Sequence, residues 1–435
     1  MKGFMPINNF FLKLKEKLNS DFRKNLVLMI GGSFLAQLIP VLFSFLLTRI
    51  YTPEDFGVFS NFSAVLSFLL VFMLLKYDMA IILPKKDSVA ANLLVLCLII
   101  GAFFFALTFL IVGLFDKLIY QLFKFDHHNN FLLFVPLGAF LFSLFNLLNE
   151  WFVRRKYFQT LVKNKIVNNS SIVAMSTLLP QINILTLGLV KGQILGQIVS
   201  VVTGSYIILK KDWALFKTID RRVMKKLLLK YINFAKFNIP GQLINTLSVQ
   251  VVIFYLTSQF GFKVVGLYAL TDRFLGVPLQ FIGNAVKDVF KQKASEDYRD
   301  KGECRDIYKK TTLLLIACSL PPFIILFIFA PELFSFFFGA EWKDSGIYAQ
   351  ILCVMYMLNF IGMPTGWLFV IAEKQKLDFL WQMLFLIFTL LALGISYFFF
   401  KNNVIYTLIL LSAGRSITYL IQLGMTYRLA TGKVN

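Results

Sequence analysis

Charged residues are scarce in this sequence. Asp, Glu, Lys and Arg together make up 15% of its 435 residues, whereas a soluble chain carries roughly 25%. Hydrophobic residues account for 58%, and a water-facing surface cannot cover so many apolar side chains. The composition therefore excludes an ordinary soluble enzyme or binding domain and indicates a chain whose solvent is a lipid bilayer.

Metal-binding and redox-active residues are also few. The four cysteines form no C-x-x-C pair, so neither disulfide bonds nor a zinc site is expected. His127 and His128 stand beside Asp126, and we interpret the three as part of a solvated loop rather than as a metal site. The sequence contains no P-loop, no G-x-G-x-x-G and no H-E-x-x-H motif. We therefore expect no metal and no cofactor.

The sequence contains many long apolar segments. Spanning the ~30 Å hydrocarbon core of a bilayer takes about 20 apolar residues in a helix. By that criterion the sequence predicts an all-α membrane protein with about twelve transmembrane helices. The fifth and sixth spans are the least apolar. The predicted spans are 26–48, 56–75, 89–114, 130–152, 166–187, 189–209, 231–257, 264–287, 311–337, 346–371, 377–400 and 403–428.

The segment TRIYTPEDFG, residues 48–57, separates the first two apolar runs. Pro53 stops the first helix from continuing, because proline lacks the N–H group that the helix needs. Thr52 or Asp55 can cap the helix that follows, since its first N–H groups have no partner inside the helix. We therefore interpret the segment as a short water-exposed turn between two membrane helices.

The distribution of Lys and Arg predicts the orientation of the chain. With the N-terminus placed in the cytoplasm, the cytoplasmic segments carry 34 of the 44 basic residues and the opposite turns carry seven. Membrane proteins show this bias toward the cytoplasm, so both termini are predicted to be cytoplasmic. The net charge of +21 then orients helices and contacts anionic lipids. No loop is large enough to form a nucleic-acid-binding module, so no nucleic acid is expected as a partner.

The two halves of the sequence resemble each other. A shift of 209 residues aligns 30–57 with 239–266 and gives seven identities in 28 positions, one of them Gly57 with Gly266. Each stretch has the pattern of a long helix, a short outside turn and the start of a second helix. The chain is therefore predicted to contain an internal repeat.

An even number of helices in each half makes the two repeats parallel. We predict one six-helix bundle in residues 1–209, with a cytoplasmic N-terminal segment, and a second in residues 210–435, preceded by a basic cytoplasmic linker. Transporters built from parallel repeats place the substrate in a cavity between the halves and rock around it. A central cavity is expected here for the same reason.

Several segments of the chain resemble a known family. From about residue 24 to residue 428, the sequence is similar to the polysaccharide-transporter branch of the multidrug/oligosaccharidyl-lipid/polysaccharide (MOP) superfamily, the Wzx-type oligosaccharide flippases. The turn YTPEDFG and the block around GLYALTDR are the most specific parts. The segments that carry the resemblance are GGSFLAQLIPVLFSFLLTRIYTPEDFGVFS, KYDMAIILP, GLYALTDRFLGVPLQFIGNAVKDVFKQKASE and PPFIILFIFAPELFSFFFGAEWKDSGIYAQIL.

The resemblance implies a flippase rather than an enzyme. It implies two bundles around a central cavity and the translocation of undecaprenyl-diphosphate-linked oligosaccharides by alternating access. These units would cross the bacterial inner membrane from the cytoplasmic to the outer leaflet, for O-antigen, capsule or exopolysaccharide synthesis. The implied partners are the lipid-linked substrate and membrane lipids, with a polysaccharide polymerase and a chain-length regulator as further candidates.

Basic residues inside the spans are the candidates for substrate binding. A charge at mid-bilayer costs about 2.5–3.5 kcal/mol, so it usually faces a cavity or a partner. Arginine suits a diphosphate because its planar guanidinium binds two oxygens at once. Alternatively, the cation pairs with a neighbouring carboxylate or reaches the membrane interface. The candidates are Arg273, Arg415, Lys236 and Arg49.

Acidic residues in or at the ends of the spans are candidates for coupling transport to protons or sodium. Each has an alternative role as the partner of a nearby cation, which we favour. The acidic candidates are Asp78, Asp288, Asp272 and Glu150. Polar residues in the spans either face the cavity or hydrogen-bond between helices; they are Gln37, Asn146, Asn149, Gln242, Asn245 and Asn284.

Two other functions compete with the flippase. One is an ion-coupled small-molecule antiporter of the same superfamily, such as a drug exporter, which needs no lipid anchor on its substrate. The other is a membrane enzyme such as a polysaccharide polymerase, which usually holds its catalytic groups in a large outside loop. The longest outside segment here, FDKLIYQLFKFDHHNN, has only about 16 residues, which counts against an enzyme.

Overall fold

The computed structural model of the protein describes residues 20–123, 130–182 and 187–432. Its regular elements in these ranges are all helical. His127, His128 and the first 19 residues lie outside the described residues. The α-helices are α1 Ser20–Leu42, α2 Ser44–Ile50, α3 Pro53–Met73, α4 Asp87–Phe123, α5 Val135–Arg154, α6 Phe158–Leu178, α7 Gly188–Phe216, α8 Arg221–Lys230, α9 Ile232–Lys301, α10 Arg305–Phe338, α11 Lys343–Thr365, α12 Leu368–Ile371, α13 Gln375–Phe399 and α14 Val404–Ala430.

The prediction of an all-α membrane protein is confirmed. Ten helical segments of the described residues are long and apolar enough to cross a membrane. Large apolar side chains also remain on the surface, for example Phe398 and Phe399 at 78% and 76% exposure. Such a surface is stable in lipid and would aggregate in water.

Two features explain why ten segments are found where about twelve were predicted. The predicted seventh and eighth spans form one helix, α9, with non-helical backbone at Gly261 inside it. The predicted fifth span, 166–187, corresponds to α6, which begins at residue 158 and contains Lys163 and Lys165. These lysines make α6 too polar to count among the ten. The loop predicted between the fourth and fifth spans, residues 153–165, is therefore wrong from residue 158 onward, where α6 has already begun.

The turn between the first two spans has the predicted chemistry. Thr52 is the N-cap of α3, and its hydroxyl accepts a hydrogen bond from the Asp55 backbone N–H. The Asp55 carboxylate in turn accepts one from the Thr52 backbone N–H at 2.9 Å. This reciprocal arrangement is a capping box, and Pro53 occupies the first turn of the helix, where its missing N–H is not needed. The cap fixes the point at which α3 begins.

Small residues bring α6 and α7 into backbone contact. A Cβ atom on Gly192 would lie 2.2 Å from the Ser176 hydroxyl oxygen, and one on Gly196 would lie 2.4 Å from the Ile172 nitrogen. No side chain larger than hydrogen fits at these positions. Glycine spaced by four residues is a common way for membrane helices to approach closely. The contact orients the rest of α7 relative to α6.

The buried apolar residues form two large clusters. One contains residues between Val58 and Tyr231, and the other combines residues from 47–64 with Leu189 and residues of α9 to α14. Helix α3 contributes to both clusters and therefore joins them. The boundary predicted between residues 209 and 210 stays a prediction.

The closest contact between α3 and α9 is reciprocal. A Cβ atom on Gly57 would lie 1.9 Å from the carbonyl oxygen of Phe262, and one on Gly266 would lie 1.7 Å from that of Pro53. The two glycines are related by the same shift of 209 residues that relates the two halves of the sequence, and so are Pro53 and Phe262. Like the interface of a two-fold dimer, this contact joins the same surface from each half.

Side chains around the glycine contact close the predicted outer side. The Trp342 indole N–H donates to the Thr48 carbonyl at 3.2 Å, and the Trp342 and Phe56 rings meet edge to face at 4.9 Å. The Arg49 guanidinium donates to the Phe336 carbonyl at 3.1 Å. These contacts connect α2 and α3 to α10 and to the helical turn Ala340–Trp342 on this side of the protein.

Ion pairs join helices at the predicted cytoplasmic end of the first half. Asp87 of α4 pairs with Arg154 of α5 and with Arg155, the residue that follows this helix, and Arg155 also reaches Asp212 of α7 at 3.0 Å. The Trp151 indole N–H donates to the second oxygen of Asp212 at 2.9 Å. These two arginines are consequently occupied by structural partners and are not available to a substrate.

Substitution of Gly266 by alanine tests the closed outer side. The added methyl group overlaps the Pro53 carbonyl, so α3 and α9 must separate. The readout is a cysteine placed at Ser63 of α3 in a variant without the four native cysteines. We expect it to react several-fold faster with a membrane-impermeant thiol reagent added from outside when Gly266 is replaced by alanine than when Gly266 is kept. Gly424→Ala is the matched control, because its Cβ would meet no atom within 4 Å. Equal labelling of the two variants would contradict the assignment of this contact as the closure.

Candidate functional site

Two adjoining cavities occupy the interior between the helices. Their volumes are about 190 Å³ and about 270 Å³, and together they fall in the range of ~300–1000 Å³ found for ligand sites. Phe56, Phe59 and Arg273 line both cavities. We therefore treat the two as one site, the central chamber.

The walls of the central chamber differ in chemistry. The smaller cavity, here the amide cavity, is lined by Asn168 and Asn169 of α6 and by Gln193 and Gln197 of α7. The larger one, here the charged cavity, is lined by polar and charged residues of α3, α9 and α14. Those residues are Ser60, Ser63, Gln250, Tyr268, Asp272, Arg273 and Arg415. Neutral amides thus face one part of the chamber and ionic groups face the other.

Arg273 lies where the two cavities meet. Its side chain is half-buried, and among the residues that the structure describes none forms a hydrogen bond or an ion pair with its guanidinium. A cation removed from bulk water and left without a counter-charge attracts anions strongly. Its five N–H donors are arranged to bind a phosphate through two oxygens. Arg273 is therefore the candidate position for an anionic group.

Arg415 also lines the charged cavity but is held by the protein. Its side chain is buried, with the residue 7% exposed. Its guanidinium donates to the Ser248 carbonyl at 2.8 Å and to the Thr389 hydroxyl at 3.3 Å. The guanidinium carbon also lies 4.9 Å from the centre of the Phe385 ring, as a cation–π contact. These contacts tie α14 to α9 and α13, so Arg415 has a structural role as well as a positive charge that faces the chamber.

Asp272 brings a negative charge into the same cavity. Its carboxylate accepts a hydrogen bond from the Tyr356 hydroxyl and contributes to the lining of the charged cavity. The adjacent Arg273 forms no ion pair with it, because neighbouring residues of a helix point in different directions. The chamber therefore contains one carboxylate and two guanidinium groups.

The other two cationic candidates lie away from the described chamber lining. Arg49 sits at the closed outer side and bonds the Phe336 carbonyl. Lys236 is exposed near the start of α9, with its amino group 5.6 Å from the Phe237 ring. The structure thus brings together Arg273, Arg415 and Asp272 from the predicted residues.

The remaining acidic candidates are scattered. Asp288 is exposed toward the far end of α9. Asp78 lies in the short helical turn Tyr77–Ala80, with one carboxylate oxygen buried and without a partner in the described part of the chain. Burial raises the pKa of the Asp78 carboxyl above its usual value, and the charge of Lys76 opposes this shift. Glu150 lies near enough to Asp78 for their charges to interact.

Sequence reasoning missed the amides of the chamber. Asn168, Gln193 and Gln197 lie in the two spans that had the weakest apolar character, and this weakness was the available signal. A helix that faces a polar cavity can replace apolar residues by amides without exposing them to lipid. Of the polar residues singled out by sequence, Asn149 instead accepts a hydrogen bond from Asn164 at 3.1 Å.

An apolar groove lies between α1 and the second part of α9. Its volume is about 390 Å³, and Gln37 is its one polar lining residue among those described. The Phe34 and Phe281 rings meet there with centroids 4.2 Å apart. Helix α1 separates the groove from the amide cavity, because Leu38 and Val41 line the groove whereas Pro40 lines the cavity. The groove can hold an apolar chain beside the central chamber.

Comparison with known proteins links this architecture to transporters. Residues 46–346 match the family described as "Polysaccharide biosynthesis protein", and no curated protein matches the sequence significantly. An inward-facing multidrug resistance MATE transporter of the MOP superfamily superposes with a TM-score of 0.71 at 15% identity, over 90% of this chain and 93% of its own.

Two further solved structures share the fold. The lipid II flippase MurJ, in an inward closed conformation, gives a TM-score of 0.73 at 14% identity, over 93% of this chain and 90% of its own. A MOP superfamily transporter from Pyrococcus furiosus gives 0.62 at 15% identity, over 94% of this chain and 95% of its own. At these identities the likeness concerns the fold.

The two arginines of the chamber should respond differently to substitution. Arg273→Met removes a charge without a partner, so we expect the melting temperature in detergent to stay unchanged or to rise. Arg415→Met removes hydrogen bonds to Ser248 and Thr389, and we expect it to lower the free energy of unfolding by about 1–3 kcal/mol. Scanning fluorimetry of both variants checks this. A larger loss for Arg273→Met than for Arg415→Met would mean that Arg273 has a structural partner.

Proposed function

Because the chain belongs to the polysaccharide biosynthesis protein family and has the fold of MOP-superfamily transporters, we propose that it is a flippase for lipid-linked oligosaccharides. Its substrate would be an undecaprenyl-diphosphate-linked repeat unit. It would move the unit from the cytoplasmic to the outer leaflet of a bacterial inner membrane, for O-antigen, capsule or exopolysaccharide synthesis. No covalent bond changes in this process, so the protein acts as a transporter and not as an enzyme.

The unpaired guanidinium of Arg273 is the observation that carries the proposal. A diphosphate offers oxygens in the arrangement that a guanidinium fork binds best. The half-buried position of Arg273 reduces the screening of its charge by water. Arg415 adds a second positive charge in the same cavity. An anionic group is therefore favoured in the chamber over a neutral or cationic one.

The apolar groove supplies a place for the lipid. A long isoprenoid chain cannot enter the polar chamber without losing its favourable apolar surroundings. It can lie along the groove between α1 and α9 while the diphosphate reaches Arg273. Because one helix separates groove and chamber, the head group and the tail can occupy their separate environments at the same time.

The glycine contact supplies the closure that alternating access requires. In this conformation Gly57 and Gly266 hold α3 and α9 together on the predicted outer side, so substrate would enter from the opposite side or from the membrane. Rocking of the halves around the chamber would then break this contact and expose the substrate to the outer leaflet. The contact is compact, so its separation can be a rigid-body movement.

Leaflet exchange in liposomes tests the proposal. We expect the purified protein to flip a fluorescent undecaprenyl-diphosphate oligosaccharide faster than protein-free liposomes do. Arg273→Ala should slow exchange roughly 10–100-fold, because a charge-assisted bond contributes about 1.5–3 kcal/mol. Arg299→Ala on the same helix is the matched control, since Arg299 is exposed and, among the described residues, its ion pair is with the exposed Asp300.

Absence of exchange with several glycans, with or without an ion gradient, would reject the flippase. The ion-coupled small-molecule antiporter would then be the favoured function, and drug efflux from the same liposomes would be the next measurement. Normal exchange by Arg273→Ala would keep a flippase but reject the role of Arg273 as the anion site. These outcomes separate the function from the residue that is proposed to carry it.

We also propose that proton coupling acts through Asp78. Because its pKa is raised, this carboxyl binds a proton at a higher pH than an ordinary aspartate does. Glu150, Lys76 and Cys97 interact electrostatically with it. Asp78→Asn imitates the protonated form at every pH, so we expect exchange by this variant to lose its dependence on an imposed proton gradient. The exposed Asp300→Asn should keep that dependence, and an unchanged response of Asp78→Asn would reject the assignment.

A further inference from the structure

The side chain of Gln197 is buried without hydrogen-bond partners. Its residue is 0% exposed, and neither the nitrogen nor the oxygen of its amide has a partner in the described ranges of the chain. Buried amide groups are almost always paired, because leaving one unpaired costs about 1–3 kcal/mol. Gln197 is among the residues that line the amide cavity, so its amide would gain the missing partners by turning toward a molecule in that cavity.

The amide cavity has the polarity of a site for hydroxyl groups. Asn168, Asn169 and Gln193 line it together with Gln197. Asn168 and Asn169 already bond to each other, to Ser200 and to the Ala36 carbonyl, so each offers a ligand its second amide hydrogen or its second lone pair, and Gln193 offers a whole amide. Arg273, at the boundary with the charged cavity, is the one charged residue in its described lining. Sugar hydroxyls also donate and accept at once, whereas a carboxylate would require cations and an ammonium group would require acids. Neutral sugars therefore match this wall best.

Aromatic rings complete the cavity. Phe56, Phe59 and Phe142 line it together with the amides. A pyranose ring has polar edges and an apolar face of C–H bonds, so it can bond to amides at its edge while its face packs on a phenyl ring. The cavity presents both kinds of surface within about 190 Å³, a volume suited to a sugar unit rather than to a long chain.

The amides are held in place by the backbone contact between α6 and α7. Gly192 and Gly196 pack against Ser176 and Ile172, and Gln193 and Gln197 follow these two glycines directly in sequence. Their spacing of four residues puts both glutamines on one face of α7. Because the helices touch at backbone distance, this face cannot shift without separating them. The amide wall is therefore a preorganised surface.

We infer that the amide cavity is the subsite for neutral sugars of the transported unit, next to the diphosphate at Arg273. This assignment rests on the proposed flippase function. It adds where each part of the substrate would lie. The lipid lies in the groove, the diphosphate at the junction of the two cavities, and the first sugars against α6 and α7.

Binding of two lipids to the purified protein tests the subsite. The probes are undecaprenyl diphosphate and undecaprenyl diphosphate carrying a neutral disaccharide of hexose and N-acetylhexosamine. Gln197→Leu keeps the volume of the side chain and removes a buried polar group, so it should fold. We expect this substitution to lower the affinity for the glycosylated lipid about tenfold and the affinity for the sugar-free lipid less than twofold. Gln193→Leu should act in the same direction, and the exposed Gln292→Leu is the matched control.

The outcomes distinguish the subsite from the function. Suppose that both lipids bind to the unmodified protein. If Gln197→Leu and Gln193→Leu then lower the affinities for the two lipids by the same factor, or change neither affinity, the diphosphate site stands and the sugar subsite is overturned. If neither lipid binds to the unmodified protein, the flippase itself is rejected. A stronger affinity for a disaccharide that carries uronic acids than for the neutral one would also overturn the subsite, because the amide wall has no cation of its own.

Discussion

The unpaired charge of Arg273 is the constraint on which the rest of the site depends. A guanidinium at this depth costs about 2.5–3.5 kcal/mol on insertion scales. Asp272 lines the same cavity, but no carboxylate of the described residues forms an ion pair with Arg273. Arg415, which has a comparable position, is bonded to α9 and α13 and stacked on Phe385. The fold therefore satisfies one arginine of the chamber with its own groups and leaves the other without a partner among the described residues, which is the basis for proposing Arg273 as the anion site.

The packing of small residues shapes the chamber around that charge. Gly57 and Gly266 bring α3 and α9 together at one end, which closes the chamber above Arg273. Gly192 and Gly196 bring α6 and α7 together along its side, which fixes the amide wall. Membrane helices gain little from apolar burial against each other, because lipid is equally apolar, so such close contacts carry much of their specificity. The same glycines thus hold the helices together and shape the walls of the chamber.

Sequence could predict the membrane class, the turn at Thr52 and Asp55, and the presence of cations inside the spans, because hydropathy, capping and charge are local properties. It placed Arg273 and Arg415 together as candidates but could not separate their roles, since these depend on Ser248, Thr389 and Phe385, which are distant in the chain. The start of α6 was misplaced because its lysines resemble a loop. The amides were missed because their partners on another helix decide whether they face a cavity.

A structure of the protein with a bound lipid-linked oligosaccharide tests the central claim most directly. The account predicts the diphosphate within hydrogen-bond distance of the Arg273 guanidinium, about 2.7–3.0 Å between nitrogen and oxygen. It also predicts the first sugars against Gln193 and Gln197, and the lipid in the groove between α1 and α9. A diphosphate bound elsewhere, with Arg273 paired to a carboxylate of the protein itself, would contradict it.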